Sequence, residues 1–185
     1  MAEILLTSET FVKSVTAISD NVAGKHIQPA IREAQEVGLR GILGDCLLAK
    51  LKALVADKSI GAEGNEAYKD LLDRSQYYLA YSALVNLCNS VTYKLGNFGV
   101  SKSSDENLTV ATHDEMVKQQ LYYQSKADGN CRRLQRWILS NKAAFPELRA
   151  CDCAAMQANL RSSASSRIFL GGARGKILPG GGGCC

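Results

Sequence analysis

No acidic residue follows Asp152, and that absence locates the whole charge imbalance of the chain. Lys+Arg and Asp+Glu balance up to that point, so Arg161, Arg167, Arg174 and Lys176 supply the formal net charge of +4. A general coat for nucleic acid is excluded by so modest a charge; a local basic strip is not. Histidine is nearly missing, with His26 and His113 alone. An HExxH metal motif is excluded, and neither GxSxG nor a GK[ST] phosphate loop occurs. His113 opens a helix and reads as a surface residue rather than a ligand. Long apolar runs are missing too. The longest uncharged stretch, Ser75 to Tyr93, contains Gln76, Ser82, Asn86, Asn89, Ser90 and Thr92, too polar for a membrane span. The opening MAEILLTSET has neither the basic start nor the apolar run of a secretory signal. No membrane association is expected, and the cysteines are expected to be reduced.

Cysteine is the residue present in excess, at seven. Cys46 and Cys88 fall in apolar helical stretches and read as small core residues. Cys151-x-Cys153 is too tightly spaced for a usual zinc pair, and Cys184-Cys185 trails four glycines. No metal and no cofactor are therefore expected. LGGARGK lacks the spacing of a phosphate loop and reads as flexible arm.

Helical patterning fills most of the chain. Thr7 reads as an N-cap, with Leu6 and Phe11 as a hydrophobic staple, and a short helix runs from there to about Ile18. In IQPAIREAQEVGLRGIL, Ile27, Ile31, Ala34 and Leu39 share a face, with Pro29 in the first turn. Gly41 and Gly44 interrupt. Asp45 then caps a helix with a Leu47, Leu48, Leu51, Leu54, Val55 stripe and Lys50 and Lys52 outside. A long helix follows from about Asn65 to Leu95. Its second half, YYLAYSALVNLC, is apolar nearly all round, as in a central helix with several neighbours. Tyr77, Tyr78 and Tyr81 are either core or an interface stripe, core being the stronger reading. The polar stretch 96–110 holds a small β-hairpin or a plain loop, long enough to touch a partner. T-H-D-E at Thr112–Glu115 is a capping box. It opens a second long helix reaching about Asn141, and a short helix is expected from Glu147 to Leu160. Arg132, Arg133 and Arg136 lie near the end of the second long helix, complementing its dipole or facing a neighbouring subunit or DNA.

These readings give a mainly α fold: a helical bundle with two long helices in residues 1–160, and an extended basic, Gly/Ser-rich arm in 161–185. Such an arm reaches for a partner.

The order of segments resembles phage head–tail connector (adaptor) proteins. Those begin with a short helix, then a helix carrying I-x-P-x-I-x-x-A-Q, which matches Ile27 to Gln35. An L-x-x-x-L-G turn follows, close to Leu39–Gly44, and then an L-x-x-x-L helix at Leu47–Leu51. YYLAYSALV and the ending near RIFLGG are similar to versions in the crAss-like and related phages of Bacteroidetes. The likeness covers about residues 4–172, and its motifs are packing patterns rather than chemical signatures. It implies a structural virion protein, not an enzyme. Such a subunit sits in a homo-oligomeric ring, a dodecamer, at the head–tail interface. The ring is assembled in the host cytoplasm, docks on the portal, and meets tail or second connector proteins. DNA passes through its lumen without sequence specificity. The arm residues Arg161, Arg167, Ile168, Phe169, Leu170, Arg174 and Lys176 are then the partner-binding set. A competing reading is a small helical nucleic-acid-binding protein using the arm and Arg132, Arg133 and Arg136, although no helix-turn-helix is recognisable. A third is a thiol- or metal-dependent enzyme using Cys151 and Cys153.

Overall fold

A computed structural model describes residues 4–96, 99–102 and 112–150. The arm 161–185, the pair Cys151 and Cys153, and the domain boundary at 160 lie outside the described residues. The fold is mainly helical. Helix α1 (Glu9–Val15) leads to α2 (Gly24–Glu33), which continues through a π-helical segment (Ala34–Leu39) into α3 (Arg40–Ala56). Helix α4 (Glu66–Thr92) is followed by strands β1 (Tyr93–Gly96) and β2 (Gly99–Lys102), then α5 (His113–Ser140), a 3-10 turn (Lys142–Ala144) and α6 (Glu147–Ala150). The antiparallel strands pair Tyr93 with Lys102 and Gly96 with Gly99. The hairpin expected in 96–110 thus starts earlier and takes the last residues assigned to the long helix.

The cap of α1 is Ser8, whose Oγ accepts the Phe11 N–H at 3.1 Å. Thr7, the expected cap, is instead buried, and its hydroxyl has no partner among the described residues. Helix α1 stops at Val15, where Thr16 turns extended. Pro29 stands in the middle of α2 rather than in its first turn, so the ladder there forgoes one amide donor.

The π-helical segment solves a spacing problem in the sequence. Five residues at ~100° each leave Leu39 roughly 140° around an α-helix from Ala34. An i→i+5 ladder spends about one more residue per turn, and it draws Leu39 back toward the face of Ile27, Ile31 and Ala34. All four are buried. Gly38, in the same segment, lets Tyr78 approach closely; an added Cβ would lie 2.3 Å from its Oη.

Gly44 breaks α3 with φ 76° and ψ 167°, a conformation that glycine alone adopts freely. Gly41 does not interrupt. Asp45 accepts from Arg40 Nε at 2.8 Å instead of capping a new helix. Beyond the break, Leu47, Leu48, Leu51 and Leu54 enter the core as expected. Lys52 does not remain outside: it pairs with Glu36 of the π-helical segment, and that hydrogen bond holds the Glu36 carboxyl below its ordinary range.

Helix α4 is central, lying against α1, α2, the π-helical segment and α5. That multiplicity explains its all-round apolar second half, where Leu79, Ala80, Ala83 and Leu84 are buried. The end of α5 and the turn after it close the core beside the start of α4. Phe145, fully buried, meets Tyr68 edge-on at 5.4 Å and Trp137 at 5.7 Å. Tyr68 donates its hydroxyl to Glu147 of α6 at 2.9 Å, and α6 rests on α3.

The N-terminal segment is fastened by two glutamines. Gln35 is wholly buried; its Oε1 accepts the Leu6 N–H at 2.9 Å, and its Nε2 donates to the Ile4 carbonyl at 3.0 Å. Gln76 of α4 donates to the Leu6 carbonyl at 2.9 Å. The extended backbone at Leu6 is thus satisfied on both sides by side chains, in place of a neighbouring strand.

Candidate functional site

Helix α5 divides into two unlike halves. Thr112 accepts the Glu115 N–H while Glu115 reaches back to the Thr112 N–H at 2.8 Å, the capping box expected from the sequence. Those hydrogen bonds hold the Glu115 carboxyl below its ordinary range. From His113 to Lys126 no residue is buried. Leu121 is 62% exposed and Tyr122 53% exposed, with Lys126 over the Tyr122 ring. The second half carries Ala127, Leu134 and Ile138 into the core. A helix of 28 residues is ~42 Å long, and about half of that length lies on the bundle by one flank only.

Arg132, Arg133 and Arg136 are all exposed on the second half of α5, and none makes an ion pair among the described residues. The trio does not act as one cluster. Arg133 lines a cleft of ≈ 410 Å³ with Asp70, Asp73, Arg74 and Tyr77 of α4, where the two carboxylates offset the two guanidiniums. Arg74 is committed to the Trp137 ring, 5.0 Å from its centroid. Arg132 and Arg136, four residues apart, share a face beside that cleft.

Tyr77, Tyr78 and Tyr81 of α4 split in the same way. Tyr78 packs against the core, and burial raises its hydroxyl above the ordinary range. Tyr81 donates to the Val15 carbonyl at 3.4 Å. Tyr77 is 48% exposed and meets Phe11 edge-on at 5.5 Å, so it alone faces outward.

Farther along α4 lies an apolar groove of ≈ 310 Å³ that the sequence did not reveal. Ile18 and Val22 come from the loop between α1 and α2, Leu84, Leu87 and Cys88 from α4, and Tyr123 from α5. Its walls come from segments remote in sequence, so no local pattern marks it.

Cys88 and Cys131 are half-buried and not disulfide-bonded, and burial pushes both thiols above the ordinary range. Such thiols are poor nucleophiles and poor metal ligands at neutral pH. Cys46 is disulfide-bonded, which corrects the expectation that it is a reduced core residue. Its position on a half-exposed face of α3, next to the break at Gly44, gives it access that an apolar helical pattern does not disclose. Among the described residues no group of three or more His, Cys, Asp or Glu stands close enough to hold a metal ion. No helix among them is long and apolar enough to cross a membrane. His113 is exposed at the start of α5. The expected partner-binding residues of the arm, Arg161, Arg167, Ile168, Phe169, Leu170, Arg174 and Lys176, lie outside the described residues.

No curated protein and no solved structure is detectably similar to the chain. A family of unknown function, DUF6712, matches residues 39–157, from the end of the π-helical segment through α3, α4, the hairpin, α5 and α6. That match spans more than half of the chain, which therefore belongs to the DUF6712 family.

Proposed function

We propose that this protein is a structural subunit of a phage head–tail connector ring. In this reading the ring docks on the portal and extends the DNA channel toward the tail. The segment order from Leu5 to Leu54 and the RIFLGG ending motivate the reading. The observation that carries it is the outer flank of the first half of α5, where no residue is fully buried and Leu121 and Tyr122 face solvent. A helix flank that exposes large apolar side chains gains from a further neighbour. Closed rings are built by heterologous contacts between unlike faces of adjacent copies. The outer flank of α5, with Leu121 and Tyr122, and the exposed residues of α2, Gln28, Pro29 and Arg32, offer unlike faces. The basic arm fastens to an adjoining protein, and no step of this role needs catalysis.

Mass measurement and electron microscopy of the purified chain, alone and with portal protein, test the reading. The expected result is a closed ring, formed alone or on the portal, that loses cohesion when Leu121→Asp and Tyr122→Asp are combined. A compact monomer that ignores the portal refutes it.

A second reading, nucleic-acid binding, is favoured by one observation: Arg132 and Arg136 are exposed, share a face and have no carboxylate partner among the described residues. It predicts duplex binding whose logarithmic affinity falls with log salt by ~0.9 per phosphate contact. Arg132→Ala and Arg136→Ala should each reduce that slope. Absent binding, or binding indifferent to salt, removes it.

A further inference from the structure

We propose that the apolar groove between α4, α5 and the α1–α2 loop receives the Ile168-Phe169-Leu170 segment of the C-terminal arm of a neighbouring copy. The inference rests on the ring reading and gives it a specific joint.

Among the described residues, none that lines the groove is acidic or basic. Its ≈ 310 Å³ corresponds to on the order of ten water molecules at ~30 Å³ each, held against leucine, isoleucine, valine and tyrosine surface. Water there is poorly satisfied, and apolar side chains that replace it gain its release. Within the chain, Phe169 is the one aromatic residue after Phe145, and it stands between two aliphatic residues. Ser162, Ser163, Ser165 and Ser166 precede this triplet and Gly171 and Gly172 follow it, a composition that cannot build a core of its own. The triplet is thus the part of the arm with the most to gain from an apolar site.

Length and exit point permit the contact. The described chain ends at Ala150 of α6, beside the start of α4, where Tyr68 meets Phe145 and Glu147. The groove lies toward the other end of α4, at Leu84 to Cys88. Tyr68 to Leu87 is about 28 Å along the helix at 1.5 Å per residue. Seventeen residues lie between Ala150 and Ile168, and the chain from one to the other spans up to ~60 Å when extended. The arm therefore has length to spare for crossing to the next subunit. Charge favours the same register. Asp20, exposed, is the chain neighbour of the groove residue Ser19, which sets a carboxylate near the rim for Arg167. In a closed ring every copy gives one arm and receives one, so the contacts act together.

The test uses the full chain with p-benzoylphenylalanine in place of Phe169, assembled from equal parts isotopically heavy and light protein. Irradiation should join the arm to the peptides carrying Leu84–Cys88 or Tyr123, with heavy–light pairs among the products. Crosslinks confined to a single chain, or none at the groove, overturn the proposal. Separately, Phe169→Asp should raise the concentration at which rings dissociate at least tenfold, while Phe169→Leu should raise it much less. Rings of unchanged mass and cohesion with Phe169→Asp refute the arm contact yet leave the ring reading standing. A wild-type chain that never assembles removes both.

Discussion

Replacing Gln35 by methionine isolates the device that fixes the N-terminal segment. Methionine has nearly the same length and fills the space without donors or acceptors. Three hydrogen bonds disappear: from the Leu6 N–H at 2.9 Å, to the Ile4 carbonyl at 3.0 Å, and to the half-exposed Glu36 carboxylate at 3.2 Å. Leu6 is 2% exposed, so its amide cannot turn to water and is left unmet, at a cost of about 1–3 kcal/mol. Ile4 is partly exposed, and its carbonyl recovers some hydration, so that loss is about 1 kcal/mol or less. The apolar side chain returns about 1 kcal/mol through burial. The net expectation is a destabilisation of about 1–3 kcal/mol, a sizeable share of the 5–15 kcal/mol typical of a domain. Equilibrium unfolding in denaturant measures it, and amide exchange at Leu6 reports whether the segment is released. Gln76→Met tests the mechanism further. Both glutamines hold Leu6, so the double variant should cost less than the two single variants together, by about 0.5 kcal/mol or more. Strict additivity, or a Gln35→Met protein within 0.5 kcal/mol of wild type with Leu6 still protected, refutes the clamp.

Gly44→Ala places a Cβ where φ is 76° and ψ 167°, and should cost about 1–3 kcal/mol in denaturant unfolding, whereas Gly41→Ala, with open space around it, should be neutral or slightly stabilising; equal effects would show that α3 is not broken where described. Tyr68 has its hydroxyl pushed up to about 12 by burial and by the Glu147 carboxylate, against ~10 in an unfolded chain. Its contribution to stability is therefore complete below pH ~10 and falls by about 1.4 kcal/mol per pH unit between the two values, as the unfolded chain releases its proton first. Unfolding between pH 9 and 11.5 should show a shallower slope in Tyr68→Phe than in wild type, the remainder coming from Tyr78, which burial also raises; an identical slope in both discounts the burial of the Tyr68 hydroxyl. Without reductant, Cys46 should resist alkylation of the native protein, while Cys88 and Cys131 react slowly near pH 7.5 and faster as pH rises; peptide mapping that finds Cys46 promptly alkylated refutes its disulfide.

Local chemistry made much of this fold readable and left the rest hidden for identifiable reasons. The capping box at Thr112–Glu115 is complete within four residues, so the start of α5 followed directly from sequence. The all-round apolar YYLAYSALV likewise announced a helix with several neighbours, because no single face could account for it. Spacing at Ala34 and Leu39 carried a less obvious signal: two core positions that an α-helix puts apart are reunited by a wider turn. The cap at Ser8 was missed by one residue because Thr7 and Ser8 are chemically alike, and only the inward direction of Thr7 separates them. Gln35 was unreadable as a clamp. A buried glutamine has no periodic signature, and its partners, Ile4 and Leu6, lie some thirty residues away.

The candidate surfaces were less legible than the core, and the reason is physical. Core positions repeat with the period of their own element, whereas a docking groove is assembled from elements that meet only in the fold. Arg132, Arg133 and Arg136 look equivalent in sequence, but α4 places Asp70 and Asp73 opposite Arg133 alone. One guanidinium therefore belongs to an internal charge balance, and two remain for a partner. The same geometry separates Tyr77 from Tyr78 and Tyr81. Arg132, Arg136, Tyr77, Leu121 and Tyr122 face outward along the α4–α5 pair, while Val37, 72% exposed, does so on the π-helical segment. If that pair forms the seam between copies, substitutions along it should weaken assembly while leaving monomer unfolding almost unchanged. Substitutions at Leu134 or Ile138 should do the reverse, since those side chains are spent on the core. Truncating either to alanine should cost about 2–5 kcal/mol of folding stability. A surface variant that unfolds the monomer as severely would place Leu121 and Tyr122 in the core and remove the argument for a seam.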